Sequence, residues 1–216
     1  MNHDSRIRRS SERAARQLLL GLINGAFYAL LSLGLAIIFG QMGVINMAHG
    51  EFMTIGAYTI FLLSSLTESY APGLLQAYFP FAIVCAFLVA FAFGWLAIRR
   101  TGIYFSMITL ALSQMVYFAA LRAPFTHGED GLQGVPRGHL FGFIDLNVAT
   151  NMYYFVLAVF VIGLVVIWRF VNSPFGMILK SIRENEARAT SLGYSVAHYK
   201  LGAFVMSAAL AGLAGG

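Results

Sequence analysis

The sequence predicts an all-α fold, that of a polytopic helical membrane protein, from three observations. Of its 216 residues, 59% are hydrophobic and 11% are charged, so the chain carries more apolar surface than a soluble core can bury. Five apolar stretches each approach the roughly 20 residues that a helix needs to span a bilayer. They cover residues 18–39, 79–98, 103–121, 153–171 and 201 onward. A polar segment with amphipathic spacing, residues 172–200, separates the last two.

The segment before the first span, residues 1–17, is basic and is predicted to lie in the cytoplasm. The apolar stretch that follows is too long for a secretory signal, which favours an uncleaved anchor. The single cysteine, Cys85, lies within a span, so the sequence contains no disulfide framework and no cysteine metal site. The net charge of +5 comes from loop residues and indicates no nucleic-acid partner.

Charge distribution also predicts an unusual second segment, residues 43–66. With the N-terminus inside, a full crossing here would place Arg99, Arg100 and the polar segment 172–200 outside the cell. A broken or re-entrant segment returns all of them to the cytoplasmic face, as the positive-inside rule favours. Irregular backbone at membrane depth is tolerated only when it is buried in protein or lines a cavity. We therefore predict such a segment next to a translocation route.

Three polar side chains in the stretch "QMGVINMAHGEFMTIGAYT", Asn46, His49 and Glu51, are candidates for that route. An ionisable residue in a membrane is costly enough to indicate function. Zinc binding is disfavoured because no third or fourth ligand lies at usable spacing. A proton relay through His49 and Glu51 is an alternative. We favour a structural role, in which they cap the ends of a broken helix.

Two further polar faces lie within the predicted spans, and each either packs against another helix or lines a route. The face in the first span contains Gly21, Asn24, Gly25, Tyr28 and Ser32. The stripe in "IYFSMITLALSQMVYFAAL" contains Ser106, Thr109, Ser113 and Tyr117, with Gln114 beside it. The translocation candidates are therefore Asn24, Asn46, His49, Glu51, Ser106, Thr109, Ser113 and Gln114.

An external loop is predicted over residues 122–152. It is rich in glycine and charged residues, among them Glu129, Asp130, Arg137 and Asp145. A loop this long without strong periodicity is usually functional or disordered. We interpret it as a lid or a docking face for an extracytoplasmic partner.

The polar segment 172–200 is predicted to form one amphipathic helix. Ser173 is its N-cap, with Pro174 at the first helical position, and Gly193 is its stop. Apolar residues recur at roughly helical spacing: Ile178, Leu179, Ile182 and Leu192. A helix lying on the lipid surface is one interpretation. The mixed signs of its charges favour docking into a protein groove instead.

Four stretches resemble the permeases for branched-chain amino acids of ABC importers, in particular the longer M-type subunit. They are "GVINMAHGEFMTIGAYT", "GIYFSMITLALSQMVYF", "GEDGLQGVPRG" and the loop "SIRENEARATSLGYSVAHYK". The general importer motif places a glycine six residues after a glutamate, whereas here Gly193 follows Glu186 by seven. The resemblance implies that residues 18–216 form an incomplete permease domain, because members continue for several further helices.

The resemblance also implies a set of partners: a second permease subunit in a heterodimer, two cytoplasmic ATPases, and a periplasmic binding protein that delivers Leu, Ile or Val. It implies an inner-membrane location and a helix that couples to the ATPases through Arg183, Glu184, Glu186, Ala187, Arg188 and Gly193. The sequence has no Gly-x-x-x-x-Gly-Lys-Ser/Thr loop, so we expect ATP and Mg²⁺ to be used by the partners and no cofactor to bind this chain. We do not expect it to be an enzyme.

Two other functions remain open from the sequence. A related ABC permease for urea, short amides or sugars would show the same pattern, because the pathway residues do not identify a substrate. An ion-coupled secondary transporter would use His49 and Glu51 as coupling groups. An intramembrane enzyme would need a convergent nucleophile and base or a metal set, and the sequence shows neither.

Overall fold

The structure, a computed structural model, describes residues 3–67, 75–100, 102–126, 128, 131, 139–140 and 144–216. Its elements in chain order are α1 (His3–Ile37), a π-helical turn (Ile38–Met42), α2 (His49–Thr67), α3 (Leu75–Ala97), α4 (Ile103–Arg122), a 3₁₀ turn (Pro124–Thr126), β1 (His139–Leu140), β2 (Ile144–Asp145), α5 (Ala149–Val171), α6 (Pro174–Glu184), α7 (Glu186–Ser191) and α8 (Val196–Gly215). The all-α prediction is confirmed.

Among the described residues, five segments are long and apolar enough to cross a membrane: Arg16–Met42, Pro80–Ala97, Ile103–Arg122, Ala149–Val171 and Val196–Gly215. They match the five predicted spans. In the loop 122–152, β1 and β2 form a short antiparallel hairpin that pairs His139 with Asp145, which the sequence did not predict. The charged residues Glu129, Asp130 and Arg137 lie outside the described residues.

Helix α8 is the centre of the bundle and packs against α1, α2 and α3. Its small residues recur four apart, which predicts close helix packing. The structure confirms this, since a Cβ atom on Gly56 of α2 would collide with the carbonyl oxygen of Gly212. Phe204, which is fully buried, packs edge-to-face against Phe52 at 5.7 Å and Phe105 at 6.0 Å. This core fixes α2 and α4 around α8.

The second segment is broken, which is one of the two forms that the sequence predicted. Residues 43–48 are not helical, and α2 begins only at His49. His49 lies beside Ser207 of α8, and Ile60 lies beside Gly216 at its end. Helix α2 therefore runs alongside α8 in the same direction. Its 19 residues extend about 28 Å along α8, in the direction away from the coupling loop.

The N-terminal segment and the polar segment 172–200 lie at opposite ends of the first span. Arg183 donates a hydrogen bond to the carbonyl of Gly40, near the C-terminal end of the span Arg16–Met42. Those 27 residues extend about 40 Å, the full thickness of a bilayer. The sequence predicted both segments on the cytoplasmic face, with a broken or re-entrant second segment between them. In the structure the two segments lie at opposite ends of α1, and α2 runs back from the break alongside α8.

Candidate functional site

The break, defined here as residues 43–48, is an irregular segment at the centre of the candidate site. It begins at Gly43, whose φ of +66° ends the π-helical turn, with its N–H bonded to the Phe39 carbonyl at 3.1 Å. Glycine is favoured there because it adopts the left-handed conformation without steric cost. The break lacks a helical hydrogen-bond ladder, and lipid offers its backbone groups no partners. They must therefore be satisfied by other parts of the protein.

The polar stripe of α4 supplies partners for the break. The Ser106 hydroxyl donates to the Ile45 carbonyl at 2.8 Å. Thr109, which is fully buried, accepts from the Met47 N–H at 3.2 Å and donates to the Ser106 carbonyl at 3.0 Å. The sequence left two interpretations of this stripe, helix packing or a route wall. The contacts favour packing for Ser106 and Thr109, whose hydroxyls bond the irregular backbone, whereas Tyr117 of the same stripe is exposed.

Two of the predicted candidates, Asn46 and Glu51, form the entry into α2. The Asn46 side-chain oxygen accepts from the Ala48 N–H at 3.0 Å, an Asx-type turn that leads into the helix. Glu51 lies in the first turn, where the helix dipole favours a carboxylate, and it accepts from the Ser113 hydroxyl at 2.9 Å. Two buried polar atoms, Asn46 Nδ2 and Gln41 Oε1, have no hydrogen-bond partner among the described residues.

His49 lies on the side of the break that faces α1 and α8. Its Nε2 is 2.9 Å from the Leu31 carbonyl, and its Nδ1 is 3.4 Å from the Ser207 hydroxyl. That hydroxyl donates to the Gly34 carbonyl at 2.6 Å. A Cβ on Gly34 would lie only 2.8 Å from the Ser207 carbonyl and 3.0 Å from the imidazole, so the packing requires glycine. His49 therefore fastens α2 to α1 and α8, a geometry that fits the structural interpretation.

Six of the eight translocation candidates thus meet around the break, and two do not. Asn24 and Gln114 are exposed on the surface of this chain. Asn24 belongs to the predicted polar face of α1, where Gly21 and Gly25 have open space in place of a Cβ neighbour. Sequence reasoning missed Ser207, whose only signal was a hydroxyl in a helix of small residues.

The segment 172–200, called the coupling loop below, contains two helices where one was predicted. The N-cap is confirmed, since the Ser173 hydroxyl accepts from the Gly176 N–H at 3.2 Å. Helix α6 then ends, and Asn185, in an extended conformation, caps α7 by accepting from the Arg188 N–H at 2.9 Å. The predicted stop is confirmed at Gly193, where φ is +88°.

The two faces of the coupling loop have different surroundings. Leu179 is fully buried and Ile182 is 3% exposed, against the membrane core. Leu192, predicted on the same apolar face, is 69% exposed because Asn185 interrupts the helical spacing. On the other face, α6 and α7 enclose a groove of about 600 Å³ whose lining includes Glu184 and Arg188.

All six predicted ATPase-coupling residues are exposed: Arg183, Glu184, Glu186, Ala187, Arg188 and Gly193. Two of them also contact the membrane core. The Arg183 guanidinium donates to the Gly40 carbonyl. Glu186 forms a 2.7 Å ion pair with Lys200 at the start of α8, a partner that no sequence pattern predicted.

A helical membrane core, an irregular segment bonded to a neighbouring span and a two-helix polar loop between spans together define a membrane transport subunit. Comparison with known proteins gives the particular family. Residues 17–216 match the family described as the permease component of the branched-chain amino acid transport system, and the chain belongs to that family.

Individual relatives carry the same description. The high-affinity branched-chain amino acid transport system permease protein LivM of Escherichia coli is 31% identical over 87% of this chain and 49% of that protein. LivM of Salmonella typhimurium is 30% identical over the same shares. BraD of Pseudomonas aeruginosa is 34% identical over 37% of this chain and 26% of its own length. The chain spans about half the length of the LivM proteins. No solved structure matches it.

Proposed function

We propose that this chain is the M-type membrane subunit of an ATP-driven importer, and that it translocates branched-chain, hydrophobic amino acids delivered by a periplasmic binding protein. The exposed groove of the coupling loop is the observation that carries the proposal. Its walls combine Glu184 and Arg188 with the apolar side chain of Leu192. Charges of both signs beside apolar surface suit a protein partner better than an anionic lipid surface.

The partners follow from this assignment. Two cytoplasmic ATPases bind and hydrolyse ATP with Mg²⁺, and one of them docks in the groove. A second permease subunit completes the membrane core, and the exposed polar face of α1, which includes Asn24, is available to it. This chain itself carries out no hydrolysis.

The orientation follows as well. If the ATPases dock on the coupling loop, that loop lies in the cytoplasm and the protein lies in the inner membrane. The start of the first span, near Arg16, then lies on the outer side, together with the loop 122–152. That loop is available to the binding protein.

Uptake by cells tests the proposal. A strain lacking this gene should lose most of its uptake of radiolabelled leucine, and the gene restored in place should recover it. Depletion of ATP should abolish the recovered uptake, whereas a protonophore that leaves the ATP level intact should not. Uptake that follows the proton or sodium gradient would instead indicate an ion-coupled carrier through His49 and Glu51.

Competition identifies the substrate class. Unlabelled leucine, isoleucine and valine should each suppress uptake, whereas urea and acetamide should not. Suppression by urea or acetamide alone, with uptake still dependent on ATP, would assign the chain to the short-amide permeases and retain the importer mechanism.

A further inference from the structure

We propose that Arg183 is a positioning residue that ties the coupling loop to the break, and that it is not a contact for the ATPase. This inference rests on the proposed function. On this proposal the coupling loop has an outer face that binds the ATPase and an inner face that transmits the movement of the ATPase into the membrane.

The first observation is the position of the Arg183 side chain. Its guanidinium donates to the Gly40 carbonyl, at the C-terminal end of the helical part of the first span. Carbonyls at a helix end carry partial negative charge, so a cation that bonds one of them is favourably placed. Its aliphatic stem lies against Gly43, where a Cβ would be 3.3 Å from Arg183 Cγ. Arg183 thus contacts both ends of the junction between α1 and the break.

The second observation is that this junction is irregular. The π-helical turn Ile38–Met42 ends α1, and Gly43 has a left-handed conformation. A π-helical turn within a helix frequently marks a functional position. From Gly43 the chain reaches Ile45 and Met47, whose backbone groups are bonded to α4. A displacement of Arg183 therefore reaches the hydrogen bonds of the break through a few contiguous residues.

The third observation is a second inward attachment on α7. Glu186 pairs with Lys200, whose side chain is only 12% exposed, at the start of α8. Around both attachments lies a cavity of about 140 Å³, with Met42, Ile98 and Ile182 among its lining residues. The coupling loop therefore holds the end of α1 and the start of α8 at once. Movement of such a packed element as a rigid body is an established type of switch.

The experiment compares two arginines on the same loop in the fully assembled importer. Arg183→Ala should leave the ATPase subunits bound and binding-protein-stimulated hydrolysis within about twofold of the wild type. Its maximal rate of leucine uptake should fall about tenfold, the size expected for one lost hydrogen bond to a charged group, with KM unchanged. Arg188→Ala, in the exposed groove, should instead reduce the amount of ATPase that copurifies.

Arg183→Lys and Gly43→Ala separate positioning from folding. Lysine still donates to a carbonyl, so Arg183→Lys should recover at least part of the uptake. Gly43→Ala strains the same junction from the other side, because its φ is +66°, and should uncouple hydrolysis from uptake even where Arg183→Ala does not fold.

The inference is overturned if Arg183→Ala reduces ATPase copurification as Arg188→Ala does, or if uptake stays normal. If Arg183→Ala does not fold, normal uptake in Gly43→Ala overturns it. Failure of the wild-type chain to copurify with any ATPase is a different result, because it would reject the proposed function itself.

Discussion

The break and the coupling loop are built from similar parts in different surroundings. In each, an asparagine oxygen accepts a backbone N–H at the start of a helix, Asn46 from Ala48 and Asn185 from Arg188. Each also contains a left-handed glycine. In the break, polar side chains bond irregular backbone, whereas in the coupling loop several charged side chains remain exposed.

The difference follows from the solvent. At membrane depth an unsatisfied backbone group costs several kcal/mol, so the hydroxyls of α4 are directed at the break. At the aqueous face water satisfies such groups, and charged side chains remain available to bind a partner. Polar residues of the same type therefore stabilise the fold in one region and offer a surface in the other.

The largest expected effect concerns the packing of α2, the helix that follows the break, against α8. Gly56→Leu would drive a side chain into the backbone of α8 at Gly212, so we expect a loss of at least about 3 kcal/mol of stability or a failure to fold. Thermal unfolding in detergent, followed by size-exclusion chromatography, measures it. Gly25→Leu, where a Cβ has open space, should leave the midpoint of this chain unchanged. Equal losses in both variants would contradict the packing described here.

A smaller effect is expected from removing a hydrogen-bond partner of the backbone in the break. Thr109→Val keeps the shape of the side chain but leaves the Met47 N–H without its acceptor, which should cost about 1–3 kcal/mol. The matched control is Thr54→Val, because the Thr54 hydroxyl bonds the carbonyl of Gly50 in its own helix. That control should change stability by less than about 0.5 kcal/mol. Denaturant unfolding of both variants measures these free energies. An unchanged free energy of unfolding in Thr109→Val would show that the break does not need α4.

A local effect is expected in the coupling loop. Asn185→Ala removes the cap of α7 and should cost that helix about 1 kcal/mol. Because α7 is largely exposed, global unfolding should barely shift, whereas hydrogen exchange of its amides should accelerate about fivefold. Ser191→Ala removes a hydroxyl that bonds within α7 and is the control. Unchanged exchange in Asn185→Ala would mean that α7 does not depend on its cap.

The smallest effect concerns the ion pair of Glu186 with Lys200. The Glu186 side chain is 47% exposed, so solvent screens the pair and its loss should cost less than about 0.5 kcal/mol. Glu186→Gln should therefore leave the unfolding midpoint nearly unchanged at both low and high salt. A loss above about 1 kcal/mol at low salt would show that the pair contributes more to the fold than its exposure indicates.

Much of the fold could be predicted from the sequence because spans and caps are local signals. Apolar length gave all five spans, and Ser173 and Gly193 marked the ends of the coupling loop correctly. The direction of α2 could not be predicted this way. The positive-inside rule gave weight to five N-terminal arginines, whereas the structure has the N-terminal segment and the coupling loop at opposite ends of α1. Hydrophobic periodicity likewise predicted a single helix through Asn185. In the structure the Asn185 side chain caps the start of a second helix, α7.

The site was predicted in part for the same reason. The residue types around the break, with Thr109 and Ser113 on one helical stripe, indicated a polar contact at membrane depth. The contacts of His49 with other helices are set by tertiary packing. Ser207 lies 158 residues from His49 in the chain, and Gly34 lies 173 residues from Ser207. No spacing rule connects positions so far apart in the chain.

Sidedness of labelling is the most direct test of the account, which requires α2 to continue across the membrane from the break. In a Cys85→Ala background, Arg13→Cys and Lys180→Cys are each treated with a membrane-impermeant maleimide, in right-side-out and in inverted vesicles. With the orientation proposed above, Lys180→Cys should be labelled only in inverted vesicles and Arg13→Cys only in right-side-out vesicles. Labelling of both positions from the same side would contradict the arrangement of the break, the coupling loop and the first span.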